Sequence, residues 1–193
     1  MKDSLCLLLT STIEVRHRQL VTRNRTEQRI EDYKTSLRKW LTRQNGVKKI
    51  VFADNSGYPL EELKEMAGQW NQRGKEVEFL SLAPHPEIPQ RGKSLGEIDM
   101  MHQAMRESRL LKEAGVFVKV TGRLFIPNTE KIVKALPERF DVAGQFSPNL
   151  TYMDTTVIFS VRRILKQKSF LLPRNTPAMM IFNISKGCLP KRF

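Results

Sequence analysis

An unbroken apolar run, Leu5-Cys6-Leu7-Leu8-Leu9, leading directly into Thr10-Ser11-Thr12, sets the strongest limit on the fold. A strand that is apolar on both faces must be covered on both faces, as happens in a largely parallel sheet between helix layers. The run is far shorter than the roughly 20 residues that span a bilayer. No small-residue cleavage site follows it, so it does not read as a signal core. Three further segments read as strands: Lys49–Ala53, Glu76–Leu82 and Val116–Val120. Between them lie helical patterns. Ile30, Tyr33, Leu37, Trp40 and Leu41 recur at the spacing of one helix face, with Gly46 as a stop. Leu60, Leu63, Met66, Ala67 and Trp70 mark a second helix after Pro59. A third is expected from about Gly96 to Ala114. A short helix near Thr129–Leu136 and a strand near Phe140–Phe146 complete the order β-α-β-α-β-α-β-α-β. Alternation of this kind predicts an α/β fold with a mostly parallel sheet and helices on both faces.

In such a sheet, ligands bind beyond the carboxyl ends of the strands. The first strand runs into Thr10, Ser11 and Thr12; the second into Asp54, Asn55, Ser56 and Gly57. The third leads through a proline-rich loop to Gly92-Lys93-Ser94-Leu95-Gly96-Glu97, and the fourth runs into Thr121-Gly122-Arg123. Parallel strands deliver these clusters to one rim. Hydroxyls, an amide and a carboxylate suit the polar edge of a nucleoside. Lys93 and Arg123 suit a diphosphate, Arg123 with a bidentate fork. Glycines 92 and 96 let backbone amides approach an anion at a helix start. Each cluster alone reads as an ordinary turn or loop; together at one rim they read as a site.

Other chemistries lack their signatures. The 92–97 loop lacks Walker A spacing, and the first strand ends without the glycine fingerprint of a dinucleotide fold. No G-x-S-x-G elbow is present. His17, His85 and His102 have no metal-ligand spacing with one another or with a cysteine. With only Cys6 and Cys188, no disulfide framework is expected, and the chain reads as reduced, soluble and cytoplasmic.

The ordered segments Leu9-Thr10-Ser11-Thr12-Ile13, Arg29-Ile30-Glu31-Asp32-Tyr33, Phe52-Ala53-Asp54-Asn55-Ser56-Gly57-Tyr58, Arg91-Gly92-Lys93-Ser94-Leu95-Gly96-Glu97 and Lys119-Val120-Thr121-Gly122-Arg123-Leu124 resemble a bacterial family of GT-A-type glycosyltransferases. Those enzymes build cell-surface polysaccharide, either lipopolysaccharide O-antigen or capsule. Asp154-Thr155-Thr156 with Phe159 extends the likeness, which covers residues 5–160. The resemblance implies a Rossmann-like domain over residues 1–160 that moves a sugar from a nucleotide-sugar donor to a lipid-linked or glycan acceptor. It places Thr10, Thr12, Asp54 and Asn55 against the nucleoside, with Ser11 and Ser56 beside them. It places Lys93, Glu97 and Arg123 near the diphosphate and sugar, and Asp154 on the acceptor side. Glu97 and Asp154 stand as catalytic candidates, and Asp54, Glu97 and Asp154 remain open as the general base. Many enzymes of that fold hold Mg2+ or Mn2+ through Asp-x-Asp. This chain has none, Glu97-Ile98-Asp99 being the nearest spacing, so the metal is left unassigned. An Asp54→Ala change is expected to impair nucleoside recognition with the fold intact.

Charge divides the chain. Of 33 Lys and Arg and 20 Asp and Glu, residues 155–193 carry 8 basic residues and no acidic one, which is +8 of the net +13. Residues 161–193 are therefore set apart as a basic C-terminal tail. It reads as a segment for peripheral contact with the inner membrane, as a nucleic-acid arm, or as the product of a shifted reading frame that leaves the enzyme incomplete and impaired. Clustered Lys and Arg favour an anionic lipid surface. A basic nucleic-acid-binding module is the rival from another class. It is disfavoured because Tyr33, Trp40 and Trp70 fall on helix core faces rather than among exposed basic residues. A nucleotide-binding protein without transfer activity is the second rival.

Overall fold

The structure is a computed structural model, and it describes residues 5–15, 25–84, 93–137, 140–146 and 153–161. The tail proposed from residue 161 onward, apart from Val161 itself, lies outside the described residues, as does Gly92. The elements are β1 (Leu5–Ser11), α1 (Thr26–Thr42), β2 (Lys49–Asp54), α2 (Glu61–Trp70), β3 (Glu76–Ser81), α3 (Lys93–Glu107), α4 (Arg109–Glu113), β4 (Val116–Thr121), α5 (Thr129–Ala135), β5 (Val142–Phe146) and β6 (Met153–Val161). The six strands form one sheet in the order β3-β2-β1-β4-β6-β5. β1 pairs in parallel with both β2 and β4, and β2 with β3. β6 is antiparallel to β4 and to β5. The fold is thus an α/β, Rossmann-like sheet, with an antiparallel strand that the periodicity did not mark.

β1 occupies the position its apolar run requires: all seven residues are buried. Strand alternation sends Leu5, Leu7 and Leu9 to one face, where they join Ile30, Tyr33, Leu37, Trp40 and Leu41 of α1 and Leu63 and Ala67 of α2. Cys6 and Leu8 go to the other face and meet Met100, Met101, Ala104, Leu110 and Leu111 of α3 and α4. The predicted face of α1 is buried throughout, and it carries two polar residues as well, Arg29 and Ser36. Ser36 Oγ and Trp40 Nε1 both donate to Leu124 O, at 2.7 and 2.8 Å. They hold the segment after β4 against α1.

The expected third helix is two. Its turn stops at Ser108, whose extended backbone breaks the helical path and whose Oγ caps α4 by accepting from Leu111 N at 3.0 Å. The same hydroxyl donates to Glu78 Oε2 on β3 at 2.6 Å. Gly46 and Gly74 lie a few residues beyond α1 and α2, where positive φ values of 75° and 60° turn the chain toward the next strand.

Lys75 closes the end of α1. Its ammonium donates to Trp40 O at 2.6 Å and Asn45 Oδ1 at 2.9 Å. Burial, with Arg73 nearby, lowers its pKa from 10.5 to about 8. The unfolded chain therefore holds this proton over a range in which the folded chain has released it. The burial penalty on the charged form is present below about pH 8 and is relieved between there and 10.5. Urea unfolding of the parent and of Lys75→Met across this range should show the parent gaining stability relative to the variant as pH rises.

Candidate functional site

The strand register places three of the four predicted clusters side by side. Ser11 lies opposite Asp54, and Thr10 lies between Ala53 and Thr121. The order 3-2-1-4, with α1 and α2 packed on one face and α3 and α4 on the other, makes the β1/β4 seam the topological switch point. The rim divides across the sheet. Ser11 and Asp54 share the face of α1, whereas Thr10, Lys119 and Thr121 share the face of α3 by strand alternation.

On the α1 side, Asp54 organises two loops. It is fully buried. Its Oδ2 accepts from Ser11 Oγ at 2.8 Å and Ile13 N at 2.9 Å. Its Oδ1 accepts from Ser56 N at 2.8 Å and Ser56 Oγ at 2.5 Å. Ser56 Oγ in turn accepts from Glu14 N at 3.1 Å. Thr12 Oγ1 donates to Asn55 Oδ1 at 2.7 Å. The carboxylate that the resemblance sets against the nucleoside thus sits behind the rim and shapes it. Removing it strands Ile13 N and Ser56 N without their acceptor, at roughly 1–3 kcal/mol for each buried group. The expectation that Asp54→Ala leaves the fold intact is therefore revised: urea unfolding should show a loss of about 3 kcal/mol.

Arg29 and Tyr33 of α1 clamp the same loop, and neither was among the predicted site residues. Arg29 Nε and Nη2 donate to Thr12 O at 2.9 and 2.5 Å, and Nη2 also donates to Tyr33 Oη at 3.1 Å. Tyr33 Oη accepts from Thr12 N at 3.2 Å, and burial raises the pKa of its phenol. The available signal was an arginine on the apolar face of α1, one position before Ile30.

Gly122 closes the switch point. Its N–H donates to Thr10 O at 2.8 Å. A Cβ added there would lie 2.8 Å from Thr10 O and 3.2 Å from the Tyr33 ring. Backbone oxygen and a packed ring cannot both yield, so Gly122→Ala should lower the melting temperature measurably by scanning calorimetry. Arg123, the next residue, keeps a third of its side chain exposed and has Asp32 Oδ2 at 4.0 Å from Nη1. Its Nε is buried with no hydrogen-bond acceptor among the described residues. This is a guanidinium with capacity for an anion.

On the α3 side stands a residue the sequence reading passed over. Lys119 lies within the apolar strand Val116–Val120, and its side chain is fully buried. It donates to Glu97 Oε1 in a very short contact, to Thr155 O at 2.5 Å and to Thr121 Oγ1 at 3.4 Å. Burial lowers its pKa; Glu97 and Asp154 act in the opposite direction. Glu97 remains 24% exposed. Asp154, on β6, is exposed, and its Oδ1 accepts from Thr156 N at 2.8 Å. Hydrogen bonding from Thr156, helped by Lys119, holds this carboxyl below the usual range. Lys93 opens α3, its side chain lying outside the described ones, and Gly96 is buried one turn on.

This donor set does not suit a divalent cation. Glu97 is turned to the Lys119 ammonium, while Asp99 Oδ2 accepts from Gln103 Nε2 at 2.6 Å, so the two carboxylates of the Glu-x-Asp spacing serve different partners. Among the described residues no three His, Cys, Asp or Glu side chains gather into a metal-binding set.

No family model matches the chain, and no curated protein matches it. Solved structures do. A cytidylyltransferase from Leptospira borgpetersenii superposes with a TM-score of 0.51 at 10% identity, over 88% of this chain and 65% of that one. HddC from Yersinia pseudotuberculosis gives 0.48 at 12% identity, over 91% and 88% of the two chains. A mannosyltransferase from Pyrobaculum calidifontis, in complex with GDP-Man and Mn2+, gives 0.46 at 10% identity, over 84% and 46%. The likeness to the cytidylyltransferase is one of fold, and this chain spans less than two thirds of that protein's length, 65%.

Proposed function

We propose that this chain is a glycosyltransferase that takes a sugar from a nucleotide-sugar donor and passes it to a growing surface glycan. The observation that supports this most is the meeting of three polar strand ends at one switch point, with the Arg123 guanidinium beside them. The fold is one also used by a cytidylyltransferase.

In this reading the nucleoside lies over the Thr12–Asn55 pair, where Thr12 Oγ1 engages the amide oxygen of the buried Asn55. Asp54, with four donors on its carboxylate, serves as the organiser of that surface and leaves the general-base assignment to Glu97 or Asp154. Transfer breaks the bond between the anomeric carbon and the diphosphate oxygen, and an acceptor hydroxyl oxygen forms the new bond. The hydroxyl proton passes to a carboxylate, and the nucleoside diphosphate departs with the bond's electron pair. Arg123 balances that charge with a forked, charge-assisted contact. The acceptor, lipid-linked or glycan, lies toward Asp154. Among the described residues no helix is long and apolar enough to cross a membrane. Peripheral contact through the basic tail would bring a membrane-borne acceptor within reach.

A thermal-shift screen of nucleosides, nucleoside diphosphates, nucleotide sugars and CTP tests this reading, since a ligand bound only by the folded state raises its melting temperature. A nucleotide sugar should stabilise the parent. Arg123→Ala should weaken nucleoside diphosphate binding by about 10- to 150-fold while changing nucleoside binding little, a charge-assisted contact being worth roughly 1.5–3 kcal/mol. Equal losses for both ligands would contradict the phosphate role. Stabilisation by CTP alone would turn the reading to nucleotidyl transfer.

A further inference from the structure

A fully buried lysine in the middle of an apolar strand is costly. Taking an ammonium from water is repaid only with good geometry, and a well-packed apolar pair of similar volume is often as stable or more so. Stability alone does not account for Lys119. Its three protons are directed to three elements at once: Glu97 on α3, Thr121 on its own strand β4, and the Thr155 carbonyl on β6. The result is a carboxylate, Glu97, with one oxygen fixed and the side chain still 24% exposed. Thr10 and Thr121 lie on the same face of the sheet, in register with each other. That side of the switch point therefore offers a fixed acceptor and the partly exposed Thr121 hydroxyl, with Thr10 buried behind it, whereas the α1 side offers the Arg123 cation. A neutral polyhydroxyl group suits the first and a diphosphate the second.

We infer that Lys119 is a positioning residue that holds the Glu97 carboxylate at the switch point, where Glu97 accepts hydrogen bonds from hydroxyls of the donor sugar. The inference rests on the nucleotide-sugar reading above. It adds the direction in which the donor lies, with the diphosphate toward Arg123 and the sugar toward Glu97. Lys119 from β4 faces Glu97, and Asp154 from β6 acts on Lys119 in turn.

The test compares the parent with Lys119→Met, Glu97→Gln and the double variant Lys119→Met/Glu97→Gln. The double variant leaves no buried charge unpaired, so its melting temperature should recover relative to Lys119→Met. Isothermal titration sets UDP-glucose against UDP and GDP-mannose against GDP. In the parent, one sugar-bearing ligand should bind more tightly than its bare diphosphate. All three variants should lose that increment, about tenfold in affinity. The bare diphosphate should stay within about twofold, a split that a merely structural defect would not produce.

Crystal structures of the parent and of Lys119→Met, without ligand, give the second readout. The Glu97 carboxylate should hold one ordered position in the parent and lose it in Lys119→Met. The same Glu97 position in the two proteins overturns the positioning role. So does a refolded double variant that keeps the sugar increment. If the parent binds the bare diphosphates with no sugar increment, the sugar assignment of Glu97 falls while the nucleotide reading stands. If the parent binds none of these ligands, the nucleotide reading falls with the sugar assignment, and the two crystal structures alone decide whether Lys119 holds Glu97.

Discussion

The Asp54 carboxylate is the joint on which the rim is built. It lies at the end of β2, and its four donors come from Ser11, Ile13 and Ser56, on both sides of the β1/β2 pair. A buried carboxylate is tolerable only when donors replace its water. Here those donors are the backbone and hydroxyls of the loops that a ligand would meet. The same hydrogen bonds that keep the charge buried therefore fix the shape of the surface. Arg29 and Tyr33 complete the arrangement from α1 by seizing Thr12 O and N. Helix packing, strand pairing and rim geometry thus depend on one another, and a change at Asp54 reaches all three.

The switch point separates two kinds of charge. Arg123 stands on the α1 side, held near Asp32 and backed by the contacts of Ser36 and Trp40 to Leu124. Lys119 stands on the α3 side with its charge already consumed by Glu97. One cation keeps a third of its side chain exposed beside Asp32, and the other is buried and committed to the protein. In the proposed reading, that asymmetry sets the direction of the donor, with its phosphates toward Arg123 and its hydroxyls toward Glu97.

Much of this was legible in the sequence, for a physical reason. β1 is apolar on both faces, so its central place followed from composition alone, and α1 declared its buried face through the spacing of Ile30, Tyr33, Leu37, Trp40 and Leu41. The break at Ser108 was not legible, because Leu110 and Leu111 continue the apolar pattern across it and only the Glu78 contact from β3 settles the serine's geometry. β6 was missed as a strand for a related reason. Its pairing is antiparallel and inserted between β4 and β5, an order that no local period encodes.

Local pattern marked the first strand as buried, the helix face of α1 that covers it, and the polar residues that end β1, β2 and β4 at the carboxyl edge. Those follow from periodicity, since side-chain direction is set by backbone geometry within a few residues. Only the tertiary structure decided what each polar group does there. Asp54 faces inward because Ser11, from 43 residues earlier, supplies it a donor. Lys119 is a committed cation because Glu97 and Thr155 arrive from two other elements. Hydrogen-bond partners distant in the chain are invisible to local pattern, and they separate a residue that shapes a site from one that is free to use it.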